Sequence, residues 1–365
     1  VDTNKILQGN ALEILKEFPS QSVNCCVTSP PYYALRDYEG SMFVWDGNKD
    51  CEHEFKSFSR KGQSGGVKSK KVKIKEKENF QKFDDTNQEF CEKCGAWNGR
   101  LGLEPSPEMY INHIVQIMME VNRILTKDGT LWLNLGDSYA GSQTVGRVGP
   151  EGIDPKFMYA KGTSLDGKIM QFDWGYLKPK DLCMIPARIA IELQKKGWWL
   201  RNDIIWHKEN SMPEPAQDRC SRSHEYIFLL TKNKKYYYDI DLIKEPIKSK
   251  LISSLTRNKR TVWSINTTPS TEKHFAMFPP NLVIPCILTG CPEGGIVLDP
   301  FMGTGTIALV CNDLKRKWIG IEQSSENVEL ISDRLAGKKY GLKTLKEPDK
   351  GGILNISKKD IRITT

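Results

Sequence analysis

The sequence predicts an α/β protein built on a doubly wound, mostly parallel sheet, and three observations carry that expectation. Strand-length apolar runs alternate with segments of helical periodicity through most of the 365 residues. The runs VNCCVT at 23–28, GIVLDPF at 295–301 and KWIGIEQ at 317–323 are apolar and β-rich, as strands covered on both faces require. Two of them stop abruptly, one in SPPY and one in a glycine-rich turn opening a helix. They therefore deliver loops to the carboxyl edge of a sheet, where ligands of such folds bind.

In chain order, KILQ (5–8) reads as a short strand turning at Gly9, residues 11–18 as a helix, and 23–28 as a strand. Residues 51–100 are Lys-rich, with KSKKVKIKEK at 68–77, and poor in large aliphatics, so they read as an insertion without an apolar core of its own. Pro107 and Glu108 start a helix whose Ile111, Ile114, Val115, Met118, Val121, Ile124 and Leu125 share one face. It leads through a turn at Lys127-Asp128-Gly129 into the strand TLWLNLG. The stretch from Tyr139 to Tyr176 reads as long loops, 180–196 as a helix, and WWLRNDIIWH and EYIFLLT as strands around a Pro-rich loop at 210–216. Residues 240–273 are polar and basic without clear period. A helix near 280–290, the strand at 295–301, a helix from about Thr304, KWIGIEQ and a helix from about Ser325 complete the pattern, followed by a Lys-rich tail.

A net charge of +8 suits an acidic partner such as a phosphate backbone. No apolar run reaches the roughly 18 residues of a membrane span, so neither a membrane segment nor a secretory leader is expected. Of ten cysteines, Cys25, Cys26, Cys183, Cys286 and Cys311 lie in apolar stretches, which fits reduced core thiols and a cytoplasmic setting.

Two loops carry the chemistry. In LDPFMGTG (298–305), glycines let the backbone approach a ligand, the following helix offers free N–H groups, and Glu322 stands about 20 residues on to accept ribose hydroxyls. The third glycine of a dinucleotide fingerprint is missing, so a nucleoside cofactor without a pyrophosphate fits better. In TSPPY (28–32), two prolines hold the backbone rigid. The Ser29 hydroxyl and Pro30 carbonyl then become fixed acceptors for an amino group, with Tyr32 beside them to stack on a planar ring.

TSPPY together with DPFMGTG resembles the catalytic and cofactor motifs of the DNA amino-methyltransferases that modify cytosine N4 or adenine N6, in the order of the permuted β class. The resemblance covers the chain from Lys5 to about Leu335 outside the insertions. It implies the Rossmann-like fold of S-adenosylmethionine-dependent methyltransferases. It also implies Ser29, Pro30, Pro31 and Tyr32 as the catalytic loop. Asp299, Pro300, Phe301, Gly303, Thr304, Gly305 and Glu322 would form the cofactor pocket, with Asn10 near the adenine, where the family usually has Asp, and His274, Phe275 and Phe278 at the methionine end. DNA with a flipped base is the implied partner. A companion restriction endonuclease, and a monomer or homodimer, are left open.

On this reading residues 1–50, 101–239 and 274–338 are parts of one catalytic domain, the second part carrying the long loop 140–176. Residues 51–100 form the insertion, 240–273 a DNA-recognition segment and 339–365 a basic tail. Arg219, Arg222, Arg257 and Arg260 are candidates for base contacts. SPPY leans toward cytosine over adenine. Carbon-5 methylation needs an exposed, activated cysteine, and Cys25, Cys26 and Cys286 lie in apolar strands or helix. Methylation of RNA or of a protein glutamine runs against the motif order, and an inactive DNA-binding protein runs against the intact motifs.

Cys51, His53, Cys91 and Cys94 form two close pairs bracketing the Lys-rich stretch, and Cys-x-x-Cys followed by glycine is a zinc-knuckle turn. A structural zinc is expected there, with the clipped basic loop tracking DNA phosphates.

Overall fold

The computed structural model describes residues 1–35, 41–57, 89–141, 175–247, 256–267 and 279–337. They form two compact units. The first comprises Val1–Tyr32, Ile114–Asp137 and Met184 onward, and the second Tyr33–His113 and Ser138–Cys183.

The chain opens with β1 (Lys5–Gln8), α1 (Ala11–Lys16) and β2 (Val23–Thr28). The second unit contributes β3 (Phe43–Trp45), β4 (Phe55–Ser57), β5 (Glu89–Cys91) and β6 (Trp97–Gly99). After these come α2 (Pro107–Ile124), β7 (Leu125–Leu135), α3 (Ile185–Lys195), β8 (Trp199–His207) and β9 (His224–Thr231). A 3-10 turn at Ile240–Ile243, β10 (Glu245–Pro246), β11 (Thr256–Arg257) and β12 (Val262–Ser264) precede α4 (Pro280–Gly290). The chain then runs through β13 (Ile296–Asp299), α5 (Thr306–Asp313), β14 (Lys317–Glu322) and α6 (Ser325–Leu335).

The first unit is organised by an eight-stranded sheet in the order β1-β14-β13-β2-β7-β9-β8-β12. Among its described strands only β9 runs antiparallel to its neighbours, so the sheet is mostly parallel as expected. Its apolar core draws Val27 and Trp132 from the strands, Leu282, Ile284 and Ile287 from α4, and Ile307 and Val310 from α5. Among the described residues no helix is long and apolar enough to cross a membrane.

Several sequence expectations change. The Lys127-Asp128-Gly129 turn lies inside β7, where the register with β2 slips: Val23 faces Leu125 but Cys25 faces Thr130. The chain absorbs those extra residues as a bulge instead of leaving the sheet. α3 starts at Ile185, not 180, because Leu182 bridges Tyr139 in an extended segment and Asp137 Oδ1 accepts the Ile185 N–H at 3.0 Å. Residues 240–273 are not merely polar loop. β12 pairs with β8 at the sheet edge, and Ile243 and Trp263 are buried. Three residues, VWS, are too short to announce that strand by period.

The insertion belongs to a second unit whose core is built of aromatics, most of them supplied by the residues flanking 51–100. β3-β6-β5-β4 form an antiparallel sheet, and Trp45, Trp97, Tyr33 and Tyr110 are buried. His113 stacks between Trp45 and Trp97, at ring-centroid distances of 4.3 and 5.7 Å, while its two nitrogens face Glu104 and Asp46 at 2.9 Å each. The Lys-rich run at 68–77, most of loop 140–176 and the tail 339–365 lie outside the described residues.

Candidate functional site

The carboxyl ends of β2 and β13 are neighbours, with Val297 opposite Cys25 and Leu298 opposite Cys26. From β2 the chain next enters the sheet at β7, and from β13 at β14, on opposite sides of the pair. The topological switch point therefore falls between them, and adjacent strands lie only about 4.8 Å apart. TSPPY and DPFMGTG leave from these two strand ends and are tied at their roots. Thr28 Oγ1 donates to Asp299 Oδ1 at 2.7 Å, and the Phe301 N–H donates to the same oxygen at 3.1 Å. Burial nevertheless pushes the Asp299 carboxyl up to about 7, because desolvation outweighs those two donors and the nearby Glu322 charge adds to it.

In the second loop, Gly303 (φ +53°) and Gly305 (φ +79°) take left-handed backbone that a side chain would strain. A Cβ on Gly305 would strike Ile331 of α6 at 2.7 Å, whereas one on Gly303 would meet nothing nearer than the Phe301 carbonyl at 3.9 Å. Gly303 thus lines open space. The Glu322 carboxylate, at the end of β14, accepts the Gly303 N–H at 2.7 Å on one oxygen. Its other oxygen accepts the Ser324 N–H at 2.9 Å and Asn327 Nδ2 at 3.3 Å. Pro300 is buried, Phe301 and Thr304 are half-buried, and the Thr304 carbonyl accepts the Arg334 guanidinium. Gly9, preceding Asn10, donates to the Glu322 carbonyl at 3.0 Å. The Asn10 side-chain oxygen caps α1, accepting the Leu12 and Glu13 N–H groups at 2.9 and 3.3 Å. His274, Phe275 and Phe278 lie outside the described residues.

In the first loop, Pro30 is buried and Pro31 half-buried. The Tyr32 hydroxyl stands 2.8 Å from Asn134 Oδ1 and 2.7 Å from Glu225 Oε2. Ser29 Oγ lies 3.1 Å from that hydroxyl and 3.4 Å from Asn134 Oδ1. Asn134 is oriented by its Nδ2, which donates to the Tyr226 carbonyl at 3.0 Å, and Glu225 pairs with Lys208. The Tyr32 ring packs on Gly136, where a Cβ would come within 2.5 Å of Cε2. Asn134, Gly136, Lys208 and Glu225 escaped the sequence reading. A glycine directly after TLWLNL was the one local sign available.

The thiols needed for carbon-5 chemistry are inert. Cys25 and Cys26 are wholly buried in β2, Cys286 is buried in α4, and burial pushes all three thiols up. Of the basic residues expected at DNA, Arg222 lies 3.5 Å from Asp137, and Arg219 pairs with Glu214. Arg257 and Arg260 share Glu245 Oε1 at 2.8 and 2.7 Å on the surface.

Within the second unit, the ligand atoms of Cys51, His53, Cys91 and Cys94 all lie within 4.8 Å of one another. Cys51 Sγ is 3.8 Å from Cys91 Sγ, and Cys94 Sγ is 3.4 Å from His53 Nδ1. Gly95 (φ +75°) closes the knuckle by donating to the Cys91 carbonyl at 2.9 Å. Burial raises the Cys91 thiol, but hydrogen bonding to His53 and to the Cys94, Lys93 and Glu54 N–H groups wins and brings it to about 6. Burial and the other two sulfurs push Cys51 to about 11.

A family model described as DNA methylase matches residues 23–333. The chain is 37% identical over 333 residues to the type II methyltransferase M.Cfr9I of Citrobacter freundii, covering 91% of this chain and 88% of the relative. It is 38% identical over 331 residues to M.SmaI of Serratia marcescens, covering 91% and 90%. Among solved structures it superposes on the cytosine-N4-specific PvuII DNA methyltransferase with TM-score 0.53 at 17% identity, over 91% of this chain and 86% of that one. A DNA modification methylase of Thermus thermophilus complexed with S-adenosyl-L-methionine gives TM-score 0.51 at 20% identity, over 92% and 95%. At those identities the superpositions establish a shared fold.

Proposed function

Because this chain belongs to the DNA methylase family of N6- and N4-methyltransferases, we propose that it moves a methyl group from S-adenosylmethionine to the exocyclic amine of a DNA base, cytosine N4. The observation that carries this reading is the pair of loops rooted on adjacent strands at the switch point and joined by Thr28 and Asp299.

The cofactor loop fits a nucleoside sulfonium. Gly303 leaves room for a ligand against the backbone, and Glu322 supplies a carboxylate beside it, one oxygen of which accepts a loop N–H that a ribose could exchange. Asp299, Pro300, Phe301, Thr304 and Gly305 shape that turn. Asn10 has its oxygen spent on the α1 cap, so its amide nitrogen is the group left for the adenine. His274, Phe275 and Phe278 are assigned to the methionine end by resemblance alone. When bound, S-adenosylmethionine supplies a methyl group on positively charged sulfur.

The protein's own work is on the amine. An exocyclic amino nitrogen is a poor nucleophile because its lone pair is delocalised into the ring. Ser29 Oγ and the Pro30 carbonyl accept its two N–H bonds, which draws charge onto nitrogen and fixes its orientation. Tyr32 stacks on the flipped base, and rigid prolines hold both acceptors before the base arrives. No cysteine takes part. Adenine N6 is the second reading, since the same two acceptors suit either amine; the serine opening SPPY favours cytosine.

In the second unit the Cys51, His53, Cys91 and Cys94 cluster holds a structural zinc. With Zn–S bonds of about 2.3 Å, a tetrahedron has sulfur–sulfur edges of about 3.8 Å, and Cys51 and Cys91 stand at 3.8 Å. Four protein ligands leave no open position for catalysis. The type II names of the relatives point to a restriction endonuclease as the companion of this activity.

The test is to incubate the protein with unmethylated genomic DNA and labelled S-adenosylmethionine, digest to nucleosides and identify the labelled one. N4-methylcytosine is expected, and its formation should collapse in Ser29→Ala. N6-methyladenine would move the assignment to the second reading, and 5-methylcytosine would refute the mechanism.

A further inference from the structure

The geometry points to Glu225, paired with Lys208, as a positioning residue that sets Ser29 as a hydrogen-bond acceptor, acting through the hydroxyl of Tyr32. The inference rests on reading residues 28–32 as the loop that holds the base amine.

A serine hydroxyl can donate or accept, and only the accepting orientation helps to bind an amino group. Which one prevails depends on where the hydroxyl protons of the loop go. Tyr32 has one phenolic proton, and among the described residues two acceptors lie in reach of it, Glu225 Oε2 at 2.7 Å and Asn134 Oδ1 at 2.8 Å. The Asn134 amide cannot turn over to relieve the competition, because its Nδ2 is committed to the Tyr226 carbonyl at 3.0 Å. A charged acceptor binds a hydroxyl roughly twice as strongly as a neutral one. Glu225 forms an ion pair with Lys208, both side chains being only 18% exposed, and the phenolic proton goes to this paired carboxylate rather than to the neutral amide oxygen.

The remaining inward bonds are then made with the Ser29 proton. Tyr32 Oη at 3.1 Å and Asn134 Oδ1 at 3.4 Å are its two acceptors, and neither holds a proton to offer in return. The chain Ser29 to Tyr32 to Glu225 runs in one direction and ends on a negative charge. Each bond polarises the next, so electron density builds on the Ser29 oxygen, whose free lone pairs are the ones available to a base amine. The sheet supplies this arrangement across strands. Asn134 lies on β7, Glu225 on β9 opposite Trp206 of β8, and Lys208 directly follows β8 with its ammonium 4.0 Å from the Trp206 ring centroid.

The experiment compares the full-length protein with Ser29→Ala, Tyr32→Phe, Glu225→Gln and the Tyr32→Phe/Glu225→Gln double variant. Single-turnover rate on unmethylated genomic DNA and KM for S-adenosylmethionine are measured for each. Tyr32→Phe and Glu225→Gln should each slow methyl transfer on the order of 10-fold, with KM for the donor within about twofold. Because Glu225 acts through the Tyr32 hydroxyl, the double variant should be no slower than the slower single one. A Glu225→Gln variant at wild-type rate, or one that loses as much in the Tyr32→Phe background as in wild type, overturns the relay. A Ser29→Ala variant at wild-type rate instead overturns the loop reading beneath it. If Glu225→Gln does not fold, Lys208→Gln interrogates the same chain from its far end, with the same non-additivity expected and additivity refuting it.

Discussion

Gly136→Ala is a one-carbon perturbation aimed at the Tyr32 ring. The added Cβ would sit 2.5 Å from Tyr32 Cε2 and 2.6 Å from Cδ2. Carbon atoms in contact settle at about 3.5–4.0 Å, so the ring must retreat by about 1 Å. The phenol cannot make that move and keep bonds of 2.7 and 2.8 Å to Glu225 and Asn134. A misplacement of about 1 Å costs on the order of 100-fold in rate, or about 2.7 kcal/mol of barrier, whereas overpacking costs the fold only about 1–3 kcal/mol. The protein should therefore remain folded and bind S-adenosylmethionine as before, since the Gly303 loop is untouched. Calorimetric titration of the donor alongside single-turnover methylation separates the two effects. A wild-type rate, or a parallel loss of donor affinity, would refute the placement of Tyr32 at the reacting base.

Two further outcomes follow from buried and clustered polar groups. Burial holds the Asp299 carboxyl at about 7 against an ordinary 3.8. The folded state therefore binds that proton more tightly than the unfolded chain. The stabilisation is complete below the ordinary value and is lost as pH rises toward about 7, a change on the order of 4 kcal/mol. Asp299→Asn keeps the acceptor for Thr28 and Phe301, so its melting temperature should gain on wild type across that window; a constant difference from pH 4 to 8 would contradict it. For the metal cluster, elemental analysis should find about one zinc per chain in wild type and none in Cys94→Ser, and metal-free wild-type protein would end that assignment.

The parts of the fold legible in the sequence were those whose burial is written in composition. β2 and β13 are short apolar runs stopped by proline or glycine, and β13, α5 and β14 carry their turn chemistry in DPFMGTG and the closing Glu322. The second unit was obscured because its core is assembled from Trp45, Trp97, Tyr110 and His113, single aromatics drawn from either side of the Lys-rich stretch and from within 51–100, with no shared period to link them. β12 was too short to register. Of the site, Ser29 and Tyr32 were visible because prolines mark a rigid loop. Asn134, Glu225 and Lys208 were not, since each meets Tyr32 or its partner only through the register of β7, β9 and β8, which pairs residues about 20 to 100 positions apart.

The most direct test is a crystal structure of the protein with S-adenosylhomocysteine and a duplex carrying its target base. The flipped base should stack on Tyr32 with its amino nitrogen about 3 Å from both Ser29 Oγ and the Pro30 carbonyl, and the ribose should rest on Glu322. A base amine lodged elsewhere, or a nucleoside bound away from the Gly303 turn, would contradict the assignment of these two loops.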